Sequence, residues 1–501
     1  MSWWRGGTIY QVYPRSFQDS DGDGVGDLPG LRRRLPYLAE LGVDALWLSP
    51  FYRSPMADFG YDVSDHCDVD PLFGTLADWD ALASDAHALD LRLILDFVPN
   101  HTSIEHSWWR AHPERYLWRD APNNWVSVFG GSAWTWDDER GAWYYHAYLP
   151  EQPDLDWRDP AVQEAQLDVL RFWCARGADG FRIDALRQLV KDDQWRDNPP
   201  NPAWREGGDP YDRLAPEYTT DRPEVLDMVA RMREAVGPER LLIGELYLPI
   251  ERLVRFYGAG LDLPANFHLL ATPWEAEAVG ALIAGYEAAL PEGAWPNWVL
   301  GNHDRPRLAS RVGPAQALVA AVLLLTLRGT PTIYYGDELG LRDVAVPPDR
   351  VQDPWEKRVP GQGVGRDPVR APMPWTLGPN AGFCPPEAEP WLPLDPDADH
   401  LAVAAGPPAL RLHRRLLALR GAEPALALGD WQPLQAAGGV LAYVRGAAIL
   451  IALNLTADER ALELGERAGE VMLSARGLAD GRRVHGHLQL APDDALVVRL
   501  G

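Results

Sequence analysis

Short apolar runs rich in β-branched and aromatic residues recur along the chain at 8–14, 45–50, 92–98, 180–184, 241–246, 261–267, 298–304 and 331–338. Between them, over 31–41, 76–89, 161–176, 224–236 and 314–327, apolar positions return every three to four residues. The short runs, bounded by turn residues, predict buried strands, and the longer period predicts helices packed on one face. Strands and helices alternating in this way predict an α/β fold, a closed parallel (β/α)8 TIM barrel with its sites at the C-terminal strand ends. An open doubly wound sheet would place a glycine-rich dinucleotide-type turn after the first strand, and none in the right form follows it.

Two stretches break the alternation. Residues 101–157, rich in Trp, Tyr, Asn and Gly, are too long for one connection and predict a small domain inserted after the third strand. Residues 340–400, heavy in Pro and Gly, predict irregular structure after the eighth strand. A helix at 413–420 ends the barrel pattern, and short strands at 440–444, 448–453 and 495–500 predict a C-terminal β-sandwich. The predicted domains are a barrel over 1–100 and 158–421, the insert at 101–157 and the sandwich at 422–501.

The 501 residues carry a formal net charge of −25. That surface repels phosphate backbones and anionic lipid, which argues against nucleic acid or a membrane as partner and leaves neutral substrates open. Cys67, Cys174 and Cys384 are odd in number and widely spaced, without disulfide or metal-ligand spacing. The sequence start lacks an apolar leader, and no run reaches the ~18 residues of a membrane span. A cytoplasmic enzyme, monomeric or homodimeric, is the expectation. Of the 22 tryptophans, those between Trp108 and Trp157 are the candidates for stacking on sugar faces.

Three predicted strands end in acids: Gly180-Phe181-Arg182-Ile183-Asp184, Leu241-Leu242-Ile243-Gly244-Glu245 and Trp298-Val299-Leu300-Gly301-Asn302-His303-Asp304. Glycoside cleavage needs one carboxylate as nucleophile, one carboxyl as general acid/base, and further polar groups to hold the sugar. Arg182, two residues before Asp184 and on the same strand face, is expected to hold its charge and depress its pKa.

With Asp96-Phe97-Val98-Pro99-Asn100-His101, these segments resemble the four signature regions of the α-amylase superfamily, glycoside hydrolase family 13. Gln152-Pro153-Asp154-Leu155-Asp156-Trp157 and Gly329-Thr330-Pro331-Thr332-Ile333-Tyr334-Tyr335-Gly336-Asp337-Glu338 resemble two more. Tyr10-Gln11-Val12-Tyr13-Pro14-Arg15-Ser16-Phe17 and Val369-Arg370-Ala371-Pro372-Met373-Pro374-Trp375 are similar to its α-glucosidase and oligo-1,6-glucosidase branch. The resemblance implies Asp184 as nucleophile, Glu245 as acid/base and Asp304 as transition-state stabiliser, with His101 and His303 donating to the sugar. It implies that Asp58 clamps the terminal glucose while Tyr61 stacks on it, and that Arg370 pairs with Asp58, assisted by Arg366, to close the pocket. Phe129, Tyr148 and Gln152 match positions near the aglycone. Ala185, following the nucleophile, is implied to favour α-1,4 over α-1,6 linkages. The implied substrates are small oligosaccharides or α-glucosides.

The loop Asp19-Ser20-Asp21-Gly22-Asp23-Gly24-Val25-Gly26-Asp27 alternates acids with small residues. Asp19, Asp21, Asp23, the Val25 carbonyl and Asp27 present oxygens at calcium-loop spacing, but Gly30 stands where an EF-hand has glutamate. The resemblance implies a structural Ca²⁺ loop, with Mg²⁺ as an alternative occupant. Rival functions are a transglycosylase or isomerase on the same scaffold, such as a sucrose isomerase or a trehalose-forming mutase, and an oligo-1,6-glucosidase. A non-catalytic relative serving as a binding subunit would have lost acids that this chain keeps.

Overall fold

A computed structural model describes residues 2–436 and 438–501. Eight parallel strands close a barrel: β1 (Ile9–Val12), β2 (Ala45–Leu48), β3 (Arg92–Phe97), β4 (Gly180–Ile183), β5 (Leu241–Gly244), β6 (Leu263–Asn266), β7 (Asn297–Val299) and β8 (Thr330–Tyr334). β1 pairs with both β2 and β8, which leaves no edge. The strands are shorter than their apolar runs because the last residues of each run leave the ladder and form the rim; β7 stops at Val299, five residues before Asp304.

Alternation along the strands sorts the side chains. Tyr10, Leu46, Leu93, Leu95, Phe181 and Leu242 belong to the main core shared with the surrounding helices. Ile9, Ala45, Trp47, Ile94, Leu241, Ile243, Leu263 and Val299 form a separate cluster inside the barrel. The same period aims Gln11, Asp96 and Arg182 inward above that apolar plug, with Asp96 in register beside Arg182.

Helices α1 (Leu28–Leu41), α2 (Leu76–Ala88), α3 (Pro160–Ala175), α4 (Val225–Val236), α5 (Ala276–Ala289), α6 (Pro314–Thr326) and α7 (Pro408–Ala422) pack around the barrel. Their ends follow local chemistry. Asp27 accepts from Gly30 N at the start of α1, Gly42 in the left-handed region (φ 92°) ends it, and Thr75 with Asp78 forms a capping box on α2.

Between β3 and α3 the insert contains a three-stranded antiparallel sheet of Trp118–Arg119, Ala142–Tyr145 and Trp134–Asp137 around its own cluster of Trp125, Trp134 and Tyr145. It is tied to the barrel by a buried cation. Lys191, from the loop after β4, pairs with Asp154 of the insert and donates to Asn100 Oδ1 at 2.8 Å.

The C-terminal strands β9 (Trp431–Leu434), β10 (Val440–Arg445), β11 (Ile449–Asn454), β12 (Arg460–Ser474), β13 (Arg483–Leu490) and β14 (Ala495–Leu500) form one sheet in the order β9-β10-β11-β14-β12-β13. The predicted sandwich is therefore a single hydrogen-bonded sheet. Irregularities at Glu463/Ala468 and Val471/Leu473 break the pairing of the long β12, and a cluster of Ala442, Leu450, Leu488 and Val498 fills one side. The other side carries Tyr443, Ile451 and Val497 into the barrel's core. There Tyr443 OH lies 2.6 Å from Thr326 Oγ1, and Arg445 donates to the Thr326 carbonyl at the end of α6.

Lys191→Met leaves Asp154 buried without its counter-charge. Urea denaturation is expected to show a loss of about 3–5 kcal/mol, partly restored when Asp154→Asn is added.

Candidate active site

Arg182 organises the barrel mouth. Its Nη1 donates to Asp96 Oδ1 at 2.7 Å and to Asp184 Oδ1 at 2.6 Å, and its Nη2 lies 3.0 Å from Glu245 Oε1. Each acid arrives by a local rule. Asp184 and Glu245 follow directly on β4 and β5, where Asp184 N and Glu245 N still donate to Phe97 O and Ile183 O of the neighbouring strands. Gly244 before Glu245 has no room for a side chain, since a Cβ there would lie 2.4 Å from Leu261 Cδ1. Ala185 takes a left-handed turn (φ 46°), and its N–H donates to Glu245 Oε2 at 2.8 Å.

Two of the three carboxyls on this guanidinium hold their protons more tightly than usual. Burial pushes the Asp184 carboxyl well above the usual carboxylate range, against the pull of Arg182, and neighbouring Glu245 and Asp96 add to the rise. Asp96 is pushed up to about 6, again chiefly by burial. Arg182 pulls the Asp184 carboxyl down as expected, but removal from water outweighs a cation shared three ways and the net shift is upward.

Asp304 has the opposite balance. Burial works against its charge, yet the Arg366 and Arg370 guanidiniums together hold its carboxyl below the usual range. Arg370 Nη2 donates to Asp304 Oδ1 at 3.2 Å and its Nε to His303 O at 2.9 Å.

The structure corrects the predicted Asp58–Arg370 pair. Arg366 takes that place, with Nη2 at 2.7 Å from Asp58 Oδ1, and also binds Asp353 Oδ1 at 2.7 Å. Arg370 is committed to Asp304. Asp353 was not anticipated; it sits in the irregular stretch after β8, where its only local signal is an N-cap before Pro354.

Asp58, Tyr61, His101, Phe129, Tyr148, Asp184, Ala185, Glu245, His303, Asp304 and Arg366 all line one cavity of about 420 Å³. Arg182, Arg370 and Gln152 stand behind its wall, Gln152 with Nε2 at 3.3 Å from Asp58 Oδ2. Tyr61 lies parallel to the His303 ring, centroids 5.5 Å apart. Phe129 stacks on Trp355 at 5.2 Å beneath the Arg366 guanidinium. Tyr148 donates to Gln188, which, with Arg187, Tyr211, Tyr247 and Arg305, was not singled out from the sequence. Those residues lie in loops and single 3-10 turns, too short to carry a periodic signal. A larger cleft of about 680 Å³, lined by His66, Cys67 and His106, contains none of the three acids.

In the loop before α1, carboxylate oxygens of Asp19, Asp21 and Asp27 lie within 4.8 Å of one another. Asp23 is not part of that group; its Oδ1 accepts from Val25 N at 2.8 Å. The converging donors are all hard oxygens, which fits Ca²⁺ or Mg²⁺.

A family model described as "Alpha amylase, catalytic domain" matches residues 11–429. The chain belongs to the alpha-amylase family. Among family relatives, a probable alpha-glucosidase of Rhizobium meliloti is 42% identical over 484 residues, covering 88% of this chain and 87% of the relative. Maltase A2 of Drosophila melanogaster is 40% identical, covering 79% and 74%. Among solved structures of the family, the alpha-glucosyl transfer enzyme XgtA superposes with a TM-score of 0.94 at 39% identity over all of both chains. The trehalulose synthase MutB of Pseudomonas mesoacidophila MX-45 gives 0.91 at 30%, also over all of both chains.

Because Asp58 and Asp353 depend on Arg366, Arg366→Met is expected to lower the melting temperature and kcat/KM more than Arg370→Met does. Thermal denaturation and kinetics of the two variants side by side check this order.

Proposed function

We propose that the protein is a retaining, exo-acting α-glucosidase that releases terminal glucose from short α-glucosides, maltose-type linkages preferred. The observation that carries the reading is the sharing of Arg182 by Asp184 and Glu245, which holds the two carboxyls as close neighbours at the mouth of a blind pocket. Asp184 attacks the anomeric carbon while Glu245 protonates the departing glycosidic oxygen, giving a covalent glucosyl-Asp184 ester. Glu245, now ionised, takes a proton from water as that water attacks the same carbon, and the second inversion restores the α configuration. Asp304, kept ionised by Arg366 and Arg370, supports positive charge on the ring in both transition states. Asp58, Arg366 and Asp353 close the far end, so one glucose fits beyond the cleaved bond. The similarity to alpha-glucosidases and maltases supports the same reading.

Proton NMR of the first product should show α-glucose. Asp184→Asn should lower kcat by at least about 10⁴-fold with circular dichroism unchanged. Initial β-glucose would refute retention.

The likeness to a glucosyl transfer enzyme favours a second outcome at the same intermediate, in which a sugar hydroxyl replaces water. Product analysis on maltose, isomaltose, sucrose and trehalose separates hydrolysis from transfer and isomerisation. Ala185 lines the cavity, and its side chain is the basis for the α-1,4 preference. Its left-handed backbone disfavours a β-branched replacement, so Ala185→Val also disturbs the N–H that holds Glu245.

We also propose that the loop at 19–27 binds one structural cation, Ca²⁺ with Mg²⁺ as the alternative, through Asp19, Asp21 and Asp27, with Asp23 and the Val25 carbonyl completing the shell after a small rearrangement. Saturating Ca²⁺ at about 100 times its Kd should stabilise the fold by about 2.7 kcal/mol, a gain that chelation and Asp19→Ala both remove. A melting temperature indifferent to Ca²⁺ and Mg²⁺ would rule the site out. No helix among the described residues is long and apolar enough to cross a membrane. The free thiols of Cys67, Cys174 and Cys384 support a reducing, cytoplasmic setting.

A further inference from the structure

Two histidines face the proposed sugar pocket, and each has its Nδ1 covered by a buried side-chain amide. We propose that Gln11 and Asn100 are positioning residues that lock His303 and His101 as neutral rings with the proton on Nε2. The proposal rests on the α-glucosidase reading for its consequence in turnover but not for its structural content.

The His303 case follows from a chain of directed hydrogen bonds. Asp96 accepts from Arg182 Nη1 at 2.7 Å on Oδ1, and on Oδ2 from Trp47 Nε1 at 3.2 Å and Tyr61 OH at 3.0 Å. With its proton given to Asp96, the Tyr61 oxygen can only accept from its other neighbour, His303 Nε2, at 2.7 Å. The imidazole proton is therefore on Nε2, and Nδ1 presents a lone pair. Gln11 Nε2, inward-facing on β1, donates to it at 2.8 Å.

The His101 case is fixed from the opposite direction. Lys191 Nζ, which can only donate, lies 2.8 Å from Asn100 Oδ1, and Asp154 Oδ2, an acceptor, lies 2.9 Å from Asn100 Nδ2. These two charges leave the amide one orientation. Its remaining N–H points to His101 Nδ1 at 3.2 Å, so His101 carries its proton on Nε2 and donates it to the Tyr61 carbonyl oxygen at 3.1 Å; Gln152 Nε2, itself a donor to Asp58 Oδ2, lies 3.1 Å from the same atom without bonding to it. Both rings thus direct Nε2–H at Tyr61, between them on the cavity wall. Burial lowers His101 to about 4 and His303 to about 3, which keeps both neutral through the working range. A neutral ring in the opposite tautomer would turn a lone pair toward the Tyr61 carbonyl oxygen, or toward a Tyr61 hydroxyl whose proton is already given to Asp96, and loosen the cavity wall.

The test is ¹⁵N NMR of the histidine-labelled, ligand-free protein, with the two rings assigned from His303→Gln and His101→Gln. Both are expected to show Nε2 protonated and Nδ1 bare; a wild-type ring protonated on Nδ1 overturns the proposal. Gln11→Glu places an acceptor against Nδ1 and should move the His303 proton to that atom. Gln11→Met, free of buried charge should the glutamate variant not fold, should leave the His303 signal averaged between tautomers, and Asn100→Met should do the same to His101. The variants should lose about 10²-fold in kcat with a smaller change in KM. Unchanged ¹⁵N signatures in folded Gln11→Met and Asn100→Met would refute the locks. Wild-type protein with the expected signatures but no activity on any α-glucoside would refute the functional reading alone.

Discussion

One buried guanidinium holds the active site together. Arg182 is the shared cation of Asp96, Asp184 and Glu245, and all four side chains are nearly removed from solvent. Placing three carboxyls in a low-dielectric barrel mouth is unfavourable unless charge is shared or protons are retained. That constraint raises the Asp184 and Asp96 carboxyls, so the ionised Asp184 that the proposed double displacement uses depends on the pull of Arg182. The apolar plug of Ile9, Trp47, Ile94 and Ile243 beneath it denies the acids a watery escape and fixes Arg182 from below, with Trp47 under the guanidinium at 5.1 Å.

The second charged group, Asp58, Arg366, Asp353 and Asp304, works by the opposite balance. Here cations are plentiful enough that Asp304 stays ionised, so an anion stands beside Asp184 and Asp96, which hold their protons more tightly than usual. The two clusters meet at Tyr61 and His303, whose hydrogen bonds run from Asp96 to Gln11 across the cavity floor. Disturbance in one cluster should therefore reach the other through a polar relay of fixed direction.

The insert and the C-terminal sheet serve the site differently. The insert supplies wall residues and is anchored by Lys191, one of only two lysines in the chain, where desolvation makes an unpaired partner costly. The C-terminal sheet packs against α5 and α6, and its Arg445 satisfies the Thr326 carbonyl at the end of α6.

The sequence by itself determined the eight strands, most of the helices, the three strand-end acids and the same-face placement of Arg182 and Asp184. All of these depend on periodicities and caps within a few residues. Only the tertiary structure decided that Asp58 pairs with Arg366, 308 positions away, while Arg370 turns to Asp304. Both arginines are near enough in sequence to serve, and the choice is made by how the loop after β8 lies over the barrel. Asp353, Trp355 and Tyr247 were illegible for the same reason, since loops carry no repeating pattern. Asp96 and Gln11 were visible as motif letters, but their work appears only when barrel closure brings β1, β3 and the turn after β7 to one polar chain. The rise of Asp184 against the pull of Arg182 was likewise beyond the sequence, because a pKa there depends on how many acids share the cation and how little water reaches them.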